Sequence, residues 1–304
     1  MKRVILIIIF MCSSMMAQSF LEELGRFGGT GSIPGKFKEP TGIDKSDDGR
    51  LFICDRGNQR IQVFDLFGNF RINFGGFGWD EEKFDEPADI WARTTLNIYV
   101  ADYNNQRVQR FDKDLNYINS KYSNPGDNEK FQFREVLSVA YSPQGDLFIL
   151  EAGENKILKY NSQDQGDAAF GYYESGSGEL TAPIQLELSS DHRVVVSDAE
   201  AKAIFVYDYF GSYLFQITHP DLIRPMGIAH DSQNRIYVAD PESKCIFEFT
   251  SNGKFLNKYR HISGILFSEP MDLVVTQMDN QMRFYIIDGD DILIAKKVTG
   301  TPKE

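Results

Sequence analysis

The chain has 304 residues, 42% of them hydrophobic and 25% charged, with 32 Lys plus Arg against 44 Asp plus Glu and a formal net charge of −12. This is globular composition with enough apolar material for a sizeable core, and it excludes a disordered, collagen-like or disulfide-dense protein. The surplus of acid argues against broad, nonspecific phosphate-backbone binding, so nucleic acid is not an expected partner.

The amino terminus reads as a targeting segment. Lys2 and Arg3 precede nine apolar residues, Val4 to Cys12, followed by Ser13-Ser14-Met15-Met16-Ala17. The run fits the apolar core of a secretory signal and is far too short to span a bilayer. Cleavage is expected after Ala17, which makes residues 1–17 a signal peptide and 18–304 a single secreted or periplasmic domain. A lipoprotein anchored through Cys12 is disfavoured, because Met11 stands where a small residue is needed. No later segment is apolar enough to be transmembrane.

One pattern then recurs six times: an aromatic residue or leucine, a proline three residues later (Val136 in the third repeat), an apolar strand, a turn, and a second apolar strand ending in an acid. The opening residues are Phe37, Phe84, Phe133, Leu180, Leu222 and Phe267, spaced 47, 49, 47, 42 and 45 apart. The acids are Asp55, Asp102, Glu151, Asp198, Asp240 and Asp288, spaced 47, 49, 47, 42 and 48 apart. In the first repeat, strands are expected near 42–44, 51–54, 61–64 and 70–74, separated by turns at 47–49 and 65–68. Four short strands per 42 to 49 residues predict an all-β fold, a six-bladed β-propeller of four-stranded antiparallel blades. The last repeat lacks its fourth strand. Phe27-Gly28-Gly29 leads into Phe37 as Phe74-Gly75-Gly76 leads into Phe84, so Leu21 to Phe27 should join the last blade and close the ring.

The run Asp55-Arg56-Gly57-Asn58-Gln59-Arg60-Ile61-Gln62-Val63-Phe64-Asp65 is echoed by Asp102-Tyr103-Asn104-Asn105-Gln106-Arg107-Val108-Gln109-Arg110-Phe111-Asp112. With the Phe-Gly-Gly connectors and Pro-Thr-Gly-Ile at 40–43, it resembles the NHL-repeat family. The resemblance is close in repeats one and two, fair in five and degenerate in the others. It implies a platform that recognises proteins or RNA, although some relatives are lyases and related six-bladed folds include calcium-dependent lactonases. Fold therefore does not give function.

The repeated acids are expected to be structural, accepting backbone N–H groups of the next turn and pairing with Arg60 or Arg107. Chemistry is better sought where blades differ. Two residues after the proline slot, facing the central channel, stand Gly42, Asp89, Ser138, Gln185, Gly227 and Asp272. Asp89 and Asp272, with a hydroxyl and a carboxamide, form a candidate Ca²⁺ site, although such sites usually want more oxygen ligands. A zinc-dependent lyase would need a cluster of channel histidines, and of His192, His219, His230 and His261 only His230 falls on an expected inner strand. Cys54 and Cys245 lie in non-adjacent blades and are expected to be free thiols.

The leading reading is a non-enzymatic platform for a protein or peptide. The long inter-blade loops carry Phe77, Trp79, Tyr172 and Tyr173, and the neighbouring turns add Arg56, Tyr103 and Arg107. Aromatic and Arg side chains on loops are typical interface anchors. The alternative is a divalent-cation-dependent hydrolase or lyase centred on Asp89 and Asp272.

Overall fold

A computed structural model describes residues 19–123, 126 and 128–300; the expected signal peptide and the last four residues lie outside these. Six β-sheets surround a central channel, and the only helices among the described residues are three single 3₁₀ turns. The first blade runs from axis to rim as Pro40–Lys45, Arg50–Asp55, Arg60–Asp65 and Phe70–Gly75. Its two middle strands are buried along nearly their whole length, because neighbouring blades cover both of their faces. The outer strand is the most exposed of the four, because no further strand covers its edge.

The inner strands form the channel wall. Pro40–Lys45 packs between Pro270–Met278 and Pro87–Trp91, and the same adjacency continues through Val136–Tyr141, Pro183–Leu188 and Ile228–His230. All six repeat-opening residues are buried. Phe37 wedges against Phe27 and Phe64, with ring centroids 6.4 and 5.7 Å away, and Phe84 meets Phe74 and Phe111 in the same way at 6.0 and 6.1 Å. An aromatic at this slot therefore fastens the outer strand of the preceding sheet to the third strand of its own. Burying such a ring is worth roughly 1.5–3 kcal/mol of transfer free energy.

Closure follows the expected route. Ser19–Gly28 runs antiparallel to the last strand, Asp291–Thr299, with Ser19 opposite Thr299 and Gly28 opposite Asp291. The short hairpin His261–Ile262 and Ile265–Leu266, which falls outside the repeated pattern, adds to the same sheet where Leu21 pairs in parallel with Ile262. Cys54 and Cys245 are both buried and free.

Candidate functional site

Strand alternation puts the inter-blade connectors and the turns between strands two and three on one face of the ring. The hairpins joining strands one to two and three to four lie on the other. The connector face is held by the repeat motif itself. Asp102 Oδ1 accepts from Asp85 N at 2.8 Å, while its Oδ2 accepts from Asn105 Nδ2 and Arg107 Nε at 2.9 and 2.8 Å. Arg107 then donates to the carbonyls of Trp79, Asp80 and Lys83 at 2.9, 2.9 and 2.7 Å. Asp55, Asn58, Arg60 and Gln62 repeat the pattern on the preceding connector: Asn58 binds the carbonyl of Gly31, Arg60 those of Ile33 and Lys36, and Gln62 that of Lys36. Asp198 and Asp240 likewise accept connector N–H groups from Thr181 and Ile223. Five of the six repeated acids are thus anchors for connectors. Asp55, Asp102, Asp198 and Asp240 hold connector N–H groups 16 or 17 residues earlier and Asp288 those of Ser268 and Glu269, whereas Glu151 accepts from Gly153 and Glu154 in the turn that follows it.

This corrects the assignment of Arg107. Its guanidinium is consumed by five hydrogen bonds inside the clamp and its side chain is only 1% exposed, so it cannot touch a partner. The other proposed face residues are accessible. Phe77, Trp79 and Tyr173 are 73%, 64% and 84% exposed. Arg56 is ion-paired with Glu86, and the Tyr103 hydroxyl donates to Glu135 at 3.2 Å. Tyr172 and Tyr173 border a hollow of about 550 Å³ shared with Glu129, Lys130, Glu154 and Lys156.

At the channel, the ring of unlike residues stitches neighbouring blades together. Asp272 accepts from Ile43 N at 2.9 Å, Asp89 from Val139 N at 3.3 Å, Ser138 Oγ from Leu186 N at 3.1 Å, and Gln185 Oε1 from Ile228 N at 2.6 Å. Each side chain satisfies a backbone donor of the next blade. Glycine is required at the two remaining slots by close approach: a Cβ on Gly42 or Gly227 would lie 2.9 or 2.4 Å from the Cα of Asp89 or Asp272. Ser138 Oγ also donates to Asp89 at 2.5 Å and Gln185 Nε2 to Asp272 at 3.1 Å. Burial raises the Asp89 carboxyl to about 6. Burial, reinforced by the Asp89 charge, lifts Asp272 well above the carboxylate range. Both carboxyls are thus already engaged by donors from within the ring: Asp89 by Ser138 and Val139, Asp272 by Ile43 and Gln185. Among the described residues no group of three His, Cys, Asp or Glu is placed to hold a metal.

The other mouth of the channel holds residues the sequence analysis passed over. Arg93, just past the inner strand of blade two, is ion-paired with Glu187 of blade four and lies 3.4 Å from Asp44 of blade one. Burial pushes the Glu187 carboxyl up to about 8 despite the guanidinium beside it. Around them, hairpins of blades two to five enclose a cavity of about 590 Å³ that Trp91, Tyr141, Leu188, Tyr209 and His230 help to line. No local motif could have revealed it, because its residues come from four repeats.

The family model that matches the chain is the NHL repeat, over residues 37–64, the segment containing the Asp55 clamp. The chain is a six-bladed β-propeller that carries an NHL repeat. By sequence, 46 residues are 41% identical to the B-box type zinc finger protein ncl-1 of Caenorhabditis elegans, 15% of this chain and 5% of that protein. The chain therefore spans about a twentieth of that relative's length. Among solved structures, a streptogramin B lyase superposes with TM-score 0.62 at 14% identity, covering 93% of this chain and 98% of the lyase. A catalytically inactive virginiamycin B lyase from Staphylococcus aureus, solved with quinupristin, gives TM-score 0.60 at 14% identity over 92% and 99% of the two chains. A protein of unknown function from Bacteroides thetaiotaomicron gives TM-score 0.67 at 14% identity over 92% and 76%. At such identities the likeness concerns the fold alone. No helix among the described residues is long and apolar enough to cross a membrane.

Proposed function

We propose that this propeller is a non-enzymatic recognition module, exported by its amino-terminal signal, that binds a protein or peptide on its connector face. One observation carries the reading: Phe77 and Trp79 stand in solvent on a connector whose backbone is clamped by Arg107 and Asn105. Large aromatics on a fixed backbone lose little freedom on binding, which is what makes rigid aromatic loops effective anchors. Tyr173 adds a third such side chain at blade four. Arg56 and Tyr103, each already paired with a carboxylate, supply polar contacts at the edge of the same face.

The test replaces Phe77, Trp79 and Tyr173 together with Ser. Capture of the partner from the native extracellular or periplasmic fraction should be abolished, with the melting temperature nearly unchanged. Undiminished capture, or a collapse in stability, would overturn the reading.

A further inference from the structure

The cavity on the hairpin face lies at the opposite mouth of the channel from the proposed partner face, and nothing in the repeat architecture requires it. Its walls are largely apolar, formed by Trp91, Tyr141, Leu188 and Tyr209. Trp91 is only 6% exposed and is held edge-on against Tyr99 and Tyr141, with centroids 6.0 and 5.6 Å away. Tyr209 is fixed by hydrogen bonds to Ser142 and Asp146 at 2.8 and 2.7 Å. The volume of about 590 Å³ is that of a small-molecule pocket.

Two polar groups stand out in this setting. The first is His230, whose ring nitrogens are both buried and have no hydrogen-bond partner. Buried polar atoms are nearly always paired, so an imidazole with both nitrogens unmet calls for an external partner. Burial, with the Arg93 charge nearby, lowers its pKa to about 3, so the ring is neutral and offers one N–H and one lone pair. The second is Arg93, already neutralised by Asp44 and Glu187. An anionic ligand would meet the Asp231 carboxylate that helps to line the cavity, and a cationic one would meet the Arg93 guanidinium.

We propose that this cavity binds a small uncharged molecule with an apolar, ring-sized body and a group that both donates and accepts hydrogen bonds, such as a carboxamide, placed against His230. The proposal does not depend on the partner face. Trp91 provides the reporter: the chain has two tryptophans, so a Trp79→Phe variant leaves Trp91 alone in the fluorescence signal. In that background, benzamide is the probe, with benzoate and benzylamine as charged counterparts of the same shape. Benzamide should shift Trp91 emission saturably, and each charged counterpart should bind at least tenfold more weakly. His230→Leu, which keeps the bulk and removes both nitrogens, should weaken benzamide at least tenfold. Leu188→Phe, which narrows the cavity without adding a second tryptophan, should weaken the saturable shift at least tenfold even if the His230 variant fails to fold. Linear, non-saturating quenching by benzamide would overturn the proposal. So would equal binding of benzoate or benzylamine, or benzamide binding unaltered in either variant.

Discussion

Replacing Arg107 with Met tests the connector clamp. Arg107 is buried and donates five hydrogen bonds, to Asp102, Tyr122 and the carbonyls of Trp79, Asp80 and Lys83, at 2.7 to 2.9 Å. Methionine roughly fills the space of the stem but leaves the Asp102 carboxylate and three carbonyls short of a donor. Charged hydrogen bonds are worth roughly 1.5–3 kcal/mol each, but bonds made by one group are not additive. Removing one partner of a buried ion pair typically costs about 3–5 kcal/mol, and about 4 kcal/mol is expected here. Asn105 and Gln109 still donate to Asp102, which keeps the loss from being larger. Arg60→Met is the internal control: Arg60 makes three such bonds, to Asp55, Ile33 and Lys36, and its side chain is partly exposed, so its loss should cost clearly less. Urea unfolding is the assay, with a fall in midpoint of about 1 M or more for Arg107→Met at unchanged slope. A cost below about 1 kcal/mol, the range of exposed pairs, or a larger loss at Arg60, would refute the reasoning.

Three further outcomes are expected. Asp89 has a folded pKa of about 6 against an ordinary 3.8, so its stabilising contribution is complete below 3.8 and fades as pH rises to about 6. Asp89→Asn mimics the protonated form throughout, so urea midpoints should move in the variant's favour by up to about 3 kcal/mol between pH 4 and 7; a pH-independent gap would contradict this. Deleting residues 18–27 removes most of the closing strand Ser19–Gly28 and should cause aggregation or a far lower melting temperature, whereas trimming 301–304 should change little. In protein expressed without residues 1–17, Cys54 and Cys245 should resist alkylation when folded and both react in denaturant without reductant; a requirement for reductant would mean they are bridged.

Much of the architecture is legible because it repeats. Phe37 and its five counterparts and the six acids recur every 42 to 49 residues, the repeated Phe-Gly-Gly marks the displaced first strand, and the fold places them as those patterns imply. Arg107 was misread because Arg on a turn looks alike whether it reaches outward or back. Only the connector folding over it decides, and the carbonyls that capture it are 24 to 28 residues earlier. Nothing in the sequence around Asp89 and Asp272 shows that their oxygens accept from N–H groups some 50 and 229 residues away. The hairpin-face cavity was invisible for a related reason: Trp91, Tyr141, Leu188 and His230 come from four repeats, at slots that differ from blade to blade.

The central claim is that the partner seats on the connector face. Hydrogen–deuterium exchange on the captured complex tests it most directly, because it reads which backbone becomes protected without altering any residue. The account predicts slowed exchange in segments 76–86 and 171–182, with the hairpins at 92–97 and 188–193 unchanged. Protection confined to those hairpins, with 76–86 and 171–182 exchanging as in the free protein, would contradict it.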